Sequence, residues 1–586
     1  MLNLPKIKDV PYLRSDGKIK TANVIPVDFP TEGLSQEELK ILDTLSDAVS
    51  GIIPIYAQQQ DHRTIELFKT LEDVERNTAD PVLREKIANF NILLAAKNSP
   101  FDREDYSIIF PCDLEQFPAD HPIQKFKSLL RGEEKAPLAR NLYPKDITDE
   151  EFEALGTAKD ITNSTVVRKS DGSLEVILNE ERFEKEANQI ADHLCATNAL
   201  VKDVGLWKYI SAKFQELRYG TKTCIRGSDI AWLGNNTSKI DFAIGTGVET
   251  YLDRWKGLRG AAQGAVFVAD KEYSDLSQKL LNLLPNLEAN APWKHKKEVS
   301  TENLTRLKYV NVLNWAGFYD WFPMLIAAES LPNDKEVTDK YGSVNVVFVN
   351  IQKAVARSGA ASALRKEFFL EREMAKYEAA IPDSGILLTS VHELGHTTGG
   401  TTLKEDPQKY FGKEYSVMEE ARADLFAMWS LPTLLEKGII SDVEETAAYY
   451  HELQGLLFGL AFDPTDHNGA RNMIFHYLRK EGAIETHFDE NNKYVVNVVA
   501  TRQAVPNMLA KLSDIKAEGD LEGLAKFKQE YISTEQQEYF QKRTENLPLG
   551  RCLIFPKLEH DGEKYTGKLT YPTDFRDQQR TLRHTT

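Results

Sequence analysis

The residues with the clearest capacity for chemistry are His392, Glu393 and His396, which form an HExxH pentapeptide. Residues four positions apart lie on one face of an α-helix, so both imidazoles can bind the same metal ion. Glu393 follows the first histidine and can act as a general base toward a water molecule beside that ion. A chance HExxH on an amphipathic helix is the alternative, but the spacing is typical of zinc hydrolases.

A third metal ligand is expected from a second helix, predicted between Met418 and Trp429. Glu420 is the predicted ligand, and Asp424, one turn later on the same face, is placed to accept a hydrogen bond from a zinc-binding histidine. Glu419 points about 100° away from Glu420 around the helix, so it is predicted to lie in the outer layer of the site. Three protein ligands leave a fourth position open, which indicates a catalytic centre with one Zn²⁺ per chain.

The first half of the chain mixes helix and strand signals. Ser35-Gln36-Glu37-Glu38 has the spacing of a helix capping box. Alternating residues between Thr165 and Leu178 predict a hairpin that turns at Asp171-Gly172. Further strands are predicted over 265–269 and 344–351, so the sequence indicates an α/β region that returns just before the HExxH motif.

From about Ser362 to about residue 545 the sequence favours helices. A long charged helix is predicted to run until Pro382, because proline interrupts a helix interior. One hairpin is predicted between His487 and Val499, with its turn at Asn491-Asn492. The fold class expected from these patterns is α+β and mostly helical, with at least two lobes in a chain of 586 residues.

The amino-acid composition limits the classes of binding partner and the cellular compartment that are expected for the protein. The net charge is −17, from 72 basic and 89 acidic side chains, so no basic surface is predicted for nucleic acid or for an anionic membrane. Four widely separated cysteines without a CxxC pair argue against a disulfide framework. The N-terminal residues lack the apolar core of a signal peptide, although a signal could have been removed. These features predict a soluble, cytoplasmic protein.

Four motifs together resemble the dipeptidyl peptidase III family of zinc peptidases. The acidic motif 419–424 is similar to the family's EECRAE, and HELGH at 392–396 corresponds to its zinc-binding motif. Upstream, the segment from Val248 to Asp253 and the glycine-rich stretch 257–268 resemble the family's E-[ST]-Y-R-D and RGEFEGFVA block. Downstream, the segment from His467 to Arg471 is similar to its AHMQAR block.

The resemblance implies roles for residues that spacing alone does not explain. Tyr251 and His467 would donate hydrogen bonds to the oxyanion and the peptide backbone during cleavage. Glu249 and Asn333 would hold the free α-ammonium group of the substrate, which fixes the register for removal of dipeptides. Arg471 would be a cation on the substrate side or a structural one. The expected substrates are short peptides with a free N-terminus.

The resemblance also implies two lobes separated by a wide cleft, one helical and zinc-bearing, the other mixed with a small β-barrel-like core. Residues 1–271 are assigned to the mixed lobe, to which 310–360 and the tail 550–586 return. Residues 272–309 and 361–549 are assigned to the helical catalytic lobe. Peptide would bind in the cleft.

One departure from the family concerns the length of the HExxH motif. Better-known members carry the hexapeptide HELLGH, whereas this chain has the pentapeptide HELGH, which needs no helical distortion to bring both histidines together. The expected activity is release of N-terminal dipeptides by zinc-activated water, with Glu393 as base. Aminopeptidase-like specificity on the same scaffold and a non-catalytic peptide-binding protein are the alternatives.

Overall fold

The computed structural model describes residues 9–102, 106–137, 140–155, 161–252, 258–299, 306–321, 327–487, 491–548, 550–562 and 564–572; at 249–252, 258, 320–321 and 550 the backbone alone is described. The protein is 56% helical. The mostly helical α+β class predicted from the sequence is confirmed.

The α-helices of the described residues are α1 Gln36–Ser50, α2 Ile52–Gln60, α3 Thr64–Asn77, α4 Pro81–Lys97, α5 Lys127–Leu130, α6 Asp149–Leu155, α7 Asn179–Arg182, α8 Glu184–Asn198, α9 Val204–Tyr219, α10 Lys222–Leu233, α11 Lys271–Asn290, α12 Phe318–Trp321, α13 Lys335–Tyr341, α14 Val349–Ala356, α15 Gly359–Phe368, α16 Glu371–Tyr377, α17 Ile381–Gly395, α18 Pro407–Phe411, α19 Tyr415–Glu436, α20 Asp442–Gly459, α21 Asp466–Lys480, α22 Val498–Glu518, α23 Leu521–Tyr531 and α24 Gln537–Thr544. Short 3₁₀ helices lie at Leu114–Gln116, Pro122–Phe126, Arg140–Leu142 and Gly412–Glu414.

The strands are β1 Val10–Leu13, β2 Ile19–Pro26, β3 Ser164–Arg168, β4 Leu174–Leu178, β5 Ile240–Leu252, β6 Leu258–Ala269, β7 Arg306–Gly317, β8 Ala328–Leu331, β9 Val344–Phe348, β10 Ile484–His487, β11 Lys493–Val496, β12 Gly550–Ile554, β13 Lys557–His560 and β14 Tyr565–Thr570. The largest sheet has the order β5-β6-β7-β9-β8 and curls into a half-barrel. Within it, β7 and β9 are parallel and the other pairs are antiparallel.

Two large apolar cores divide the molecule. One is built on the five-stranded sheet with α1, α2, α8 and α9, and we call this part the mixed lobe. The other is built on α17 and α19 to α22, and we call it the helical lobe. A smaller core joins α3 and α4 to β1, β2 and β12. The assignment of residue ranges to the two lobes stays a prediction.

Helix α17, which carries the HExxH motif, also touches the mixed lobe. Strand β9 leads directly into α14, and Val347 and Val349 at this transition form a buried cluster with Tyr309 of β7 and Ile386 of α17. Burial of aliphatic side chains of this size stabilises a contact by about 1.5–3 kcal/mol each. The motif helix is therefore packed against the sheet as well as against the helical core.

Strand β5 bends where the candidate substrate residues begin. The β5–β6 register shifts between Gly245 and Glu249. At this point the two backbones approach so closely that a Cβ on Gly260 would lie 2.8 Å from the Cα of Gly247. The hydroxyl of Thr246 donates to the buried carboxyl of Glu180 at 2.6 Å, which ties the bend to α7.

Several predicted elements are found with shifted ends. The capping box at Ser35 and the β3–β4 hairpin are confirmed. The strand predicted over 344–351 ends at Phe348, where α14 begins. The second hairpin starts at Ile484 and ends at Val496, since Asn497 already caps α22.

The prediction of one long helix ending at Pro382 was wrong. The segment forms two helices, α15 and α16, and Pro382 lies in the first turn of α17. Proline is tolerated there because the first amide groups of a helix have no partner within the helix. No helix in the described part of the chain combines the length and hydrophobicity needed to cross a membrane.

Candidate metal centre

Three side chains on α17 and α19 converge on one point. One ligand atom each of His392, His396 and Glu420 lies within 4.8 Å of the others. The two histidine Nε2 atoms are 3.1 Å apart, and Glu420 Oε2 is 3.3 Å from the first and 3.9 Å from the second. Ligand atoms about 2.0–2.1 Å from a tetrahedral zinc ion are about 3.3 Å apart, so these separations fit one ion.

The outer nitrogens of both histidines face carboxylates, which decides where the imidazole protons lie. His392 Nδ1 is 2.7 Å from Asp424 Oδ1, and His396 Nδ1 is 3.1 Å from Glu419 Oε1. A carboxylate accepts, so each Nδ1 carries a proton, and a neutral imidazole then presents a lone pair at Nε2. Two facing lone pairs repel unless a proton or a metal cation lies between them.

Glu420 supplies a second sign that the point suits a cation. Its Oε2 is buried and has no hydrogen-bond donor among the described residues, although His392 and His467 nitrogens lie close to it. Burial lowers the pKa of His392, but the charge of Asp424 and the hydrogen bond to it raise that pKa well above its usual value. Two imidazole nitrogens and one carboxylate oxygen in a negative environment form a donor set that fits zinc.

The carboxylate of Glu419 is surrounded by cationic side chains. Arg422, which is fully buried, donates to both of its oxygens at 2.6 and 3.0 Å, and Lys516 Nζ of α22 lies 2.7 Å from Oε2. Burial would raise the pKa of Glu419, but the charges of Arg422 and Lys516 hold it well below its usual range. Arg422 also donates to Thr398 Oγ1 and to the carbonyl of Gly395, so it joins α19 to the end of α17.

Asp424 has different surroundings, although it also orients a histidine. Burial opposes its charge, but the neighbouring His392 lowers its pKa, with a contribution from Arg471. Glu452 of α20 lies in the field of Asp424, and burial together with that negative charge raises the pKa of Glu452 to about 8. The carboxyl group of Glu452 is thus mainly protonated near neutral pH.

Glu393 is the candidate general base, and its carboxylate is held from the mixed lobe. The side-chain amide of Asn345 on β9 donates to Glu393 Oε2 at 2.6 Å. Asn345 is buried. This contact leaves the other carboxylate oxygen of Glu393 to take part in chemistry beside the convergent ligand atoms.

His467 and Arg471 lie on α21, on the side of the site formed by α19 and α20. His467 Nδ1 is 3.2 Å from Glu420 Oε2, and 60% of its side chain is exposed. The aliphatic part of Arg471 packs so closely on Gly459 of α20 that a Cβ there would lie 2.9 Å from its Cδ. His467 is thereby placed beside a candidate metal ligand, and Arg471 behind the outer carboxylates.

Comparison with known proteins finds a matching family model and matching folds. The sequence model described as peptidase family M49 matches residues 141–414, which include β5, β6 and the whole HExxH motif. Over these residues the chain is similar to peptidase family M49. This match supports the family predicted from the sequence motifs.

Solved structures show the same fold. Dipeptidyl peptidase III from Caldithrix abyssi superposes with a TM-score of 0.74 at 22% identity, over 91% of this chain and 97% of that one. The enzyme from Corallococcus sp. strain EGB gives a TM-score of 0.67 at 19% identity, over 91% and 95%. The expected two-lobed fold is confirmed by these matches.

A curated relative shares part of the chain. Nudix hydrolase 3 of Arabidopsis thaliana is 26% identical over 304 residues, which are 50% of this chain. The match spans only 38% of that relative's length.

The candidate substrate residues lie on the mixed lobe. Glu249 and Tyr251 are on β5, opposite Ala261 and Arg259 of β6, and their side chains lie outside the described residues. Asn333, exposed after β8, donates from its amide to the carbonyl of Val248 at 3.1 Å. Asn333 is therefore adjacent to the backbone that carries Glu249.

Sequence reasoning missed the residues that support the candidate ligands from a distance. Arg422 lies inside the acidic motif, and its i, i+3 spacing from Glu419 was a usable signal for the ion pair. Asn345, Lys516 and Glu452 are on other elements, far along the chain, and no local pattern connects them to the HExxH motif.

Proposed function

We propose that this protein is a zinc-dependent dipeptidyl peptidase that releases N-terminal dipeptides from short peptides. The observation that carries the proposal is the convergence of His392, His396 and Glu420 on one point, with Glu393 held beside it. The similarity to peptidase family M49 supports peptide cleavage. One Zn²⁺ per chain, bound by the three ligands, would acidify water and polarise the scissile carbonyl.

The protein's own residues would carry the remaining steps. Glu393 accepts a proton from the attacking water and then delivers it to the leaving amine. Tyr251 and His467 donate hydrogen bonds to the oxygen on which negative charge develops. For Tyr251 this role rests on the resemblance of its motif, and for His467 also on its position beside Glu420.

Glu249 and Asn333 are proposed to bind the free α-ammonium group. The amide of Asn333 is already anchored to Val248, so its carbonyl oxygen remains free to face the ligand. Charge recognition at a fixed distance from the metal sets the register of cleavage. Arg471 is proposed as a cation that balances the charge of Asp424 near the substrate, rather than as a direct ligand of the peptide.

The decisive experiment compares a hexapeptide with a free N-terminus and the same peptide after N-acetylation, with products identified by mass spectrometry. Successive dipeptides should appear from the free peptide alone, and a chelator should abolish their release. Single amino acids would indicate the aminopeptidase alternative. Binding of both peptides without cleavage in the zinc-loaded protein would indicate the non-catalytic alternative.

The role of Glu393 is tested by Glu393→Gln, with Glu371→Gln as the matched control because Glu371 is exposed on α16. Loss of the base should lower kcat by at least about 100-fold, since general base catalysis contributes that much. The control should keep wild-type activity, and both variants should bind one zinc ion. Undiminished turnover in Glu393→Gln would contradict the assignment.

A further inference from the structure

The structure assigns a positioning role to Asn345, an inference that rests on the proposed function. We propose that its amide, supplied by the mixed lobe, fixes the carboxylate of Glu393, carried by the helical lobe, in the orientation needed for proton transfer. The contact is short, 2.6 Å, and joins residues 48 positions apart in the chain. A neutral amide donor to a carboxylate is a charge-assisted hydrogen bond.

Asn345 is itself held rigidly by its strand. It is paired with Leu307 of β7 on one side and with Ser330 of β8 on the other, so both edges of its backbone are within the sheet. The side chain is 5% exposed. A donor on a strand bonded on both sides is placed more precisely than one on a loop.

The surrounding contacts place Glu393 against the same surface. Residues 386, 389 and 393 lie along one face of α17, at i, i+3 and i+7. Ile386 packs with Val347, the next residue on Asn345's face of β9. The hydroxyl of Thr389, which lies 3.0 Å from the carbonyl oxygen of Gly385, also lies 3.4 Å from the side-chain oxygen of Gln352 of α14. Glu393 is the next residue along this face of α17, and it contacts Asn345.

The chemical consequence follows from the two oxygens of the carboxylate. Oε2 is occupied by the Asn345 amide, so the carboxylate cannot rotate freely, and Oε1 keeps a constant direction toward the reacting water. The carboxamide of Asn345 does not exchange a proton. Its effect should appear in turnover, with metal binding unchanged.

The test uses Asn345→Ala and Asn345→Asp in the full-length, zinc-loaded protein. The aspartate variant would keep the size of the side chain but replace the donor by a like charge. Because loss of outer-shell partners commonly reduces activity by about 10- to 100-fold, kcat should fall by that range for the alanine variant and further for the aspartate variant. KM should change less than about threefold, and zinc stoichiometry should remain one per chain.

Thr389→Val is the matched control. It removes a hydroxyl at the same contact between α17 and the mixed lobe without touching Glu393. A role of Asn345 in packing alone would give both variants the same modest loss of stability and activity. Wild-type kcat in Asn345→Ala would overturn the proposal.

Crystal structures of the wild type and Asn345→Ala provide a readout that is independent of activity. Glu393 should keep one conformer bonded to Asn345 in the wild type and adopt another rotamer in the variant. An unchanged Glu393 in the variant would also overturn the proposal. If the wild type releases no dipeptides, the proposed function fails, while the crystallographic comparison still decides the role of Asn345. Asn345→Asp serves if the alanine variant does not fold.

Discussion

His392 and His396 direct their ε nitrogens to the same point, but the protein supports their outer nitrogens in two different ways. Behind His396, Glu419 is neutralised by Arg422 and Lys516, and these charges link the end of α17 to α19 and α22. Behind His392, Asp424 lies in the field of Arg471, and the negative charge is further limited by protonation of Glu452, because burial and the charge of Asp424 raise the pKa of Glu452 to about 8.

The difference separates two tasks that a carboxylate beside a metal centre can perform. Both carboxylates fix an imidazole tautomer, which a metal centre requires. Glu419 additionally holds buried cations, so it contributes to folding even without metal. Asp424 has a more local role. The two histidines are therefore expected to respond differently to changes in their outer carboxylates.

The largest effect is expected from Glu419→Gln. Loss of this carboxylate leaves the fully buried Arg422 without its charged partner, and breaking such a pair costs about 3–5 kcal/mol. The free energy of unfolding of the metal-free protein, measured by urea denaturation, should fall by that amount. Zinc affinity, measured by competition with a chelator, should fall about 10- to 100-fold.

Asp424→Asn is the matched comparison for that variant. It should weaken zinc binding in the same range, while the free energy of unfolding of the metal-free protein changes by no more than about 1 kcal/mol, the ordinary value of a single hydrogen bond. Equal destabilisation by both variants would remove the distinction between the two histidines.

A pH-dependent effect is expected from Lys516, whose pKa is lowered from 10.5 to about 8 by burial and by the charge of Arg422, against the opposing pull of Glu419. Below pH 8 both the folded and unfolded chains carry the proton, and the penalty for a buried ammonium is fully present. Between pH 8 and 10.5 the folded protein loses the proton first. This side chain's contribution to stability should therefore rise by about 3 kcal/mol over that window.

Lys516→Met provides the measurement of that contribution. The difference in free energy of unfolding between wild type and variant, measured without metal, should shift in favour of the wild type as the pH rises from 8 toward 10.5. A difference that is constant over this window would show that Lys516 has an ordinary pKa and stays protonated beside Glu419 throughout.

The smallest effect is expected from Thr398→Val. Arg422 Nη1 donates to Thr398 Oγ1 at 3.0 Å, and valine leaves that guanidinium donor without its partner. The expected loss is about 1–2 kcal/mol in free energy of unfolding, because the ion pair with Glu419 remains. Thermal denaturation should show the shift, with zinc affinity nearly unchanged. A loss as large as that of Glu419→Gln would place the main support of Arg422 at Thr398.

Local periodicity explains which features could be predicted from the sequence. The i, i+4 spacing of His392 and His396, and of Glu420 and Asp424, depends only on the pitch of a helix. The β3–β4 hairpin was equally local, since a Gly turn between alternating residues specifies it. The prediction at Pro382 failed because proline both ends and begins helices, and only packing decides between the two.

The sequence by itself determined the family, the mostly helical α+β class and the set of candidate metal ligands. Motifs and helical spacing depend only on residues that are close together in the chain. The tertiary structure decided how that set is supported. Asn345 reaches Glu393 from β9, Lys516 reaches Glu419 from α22, and Glu452 of α20 interacts electrostatically with Asp424. These interactions join segments that are far apart in the chain. They depend on how whole helices pack against each other and against the sheet, and no short sequence pattern specifies that packing.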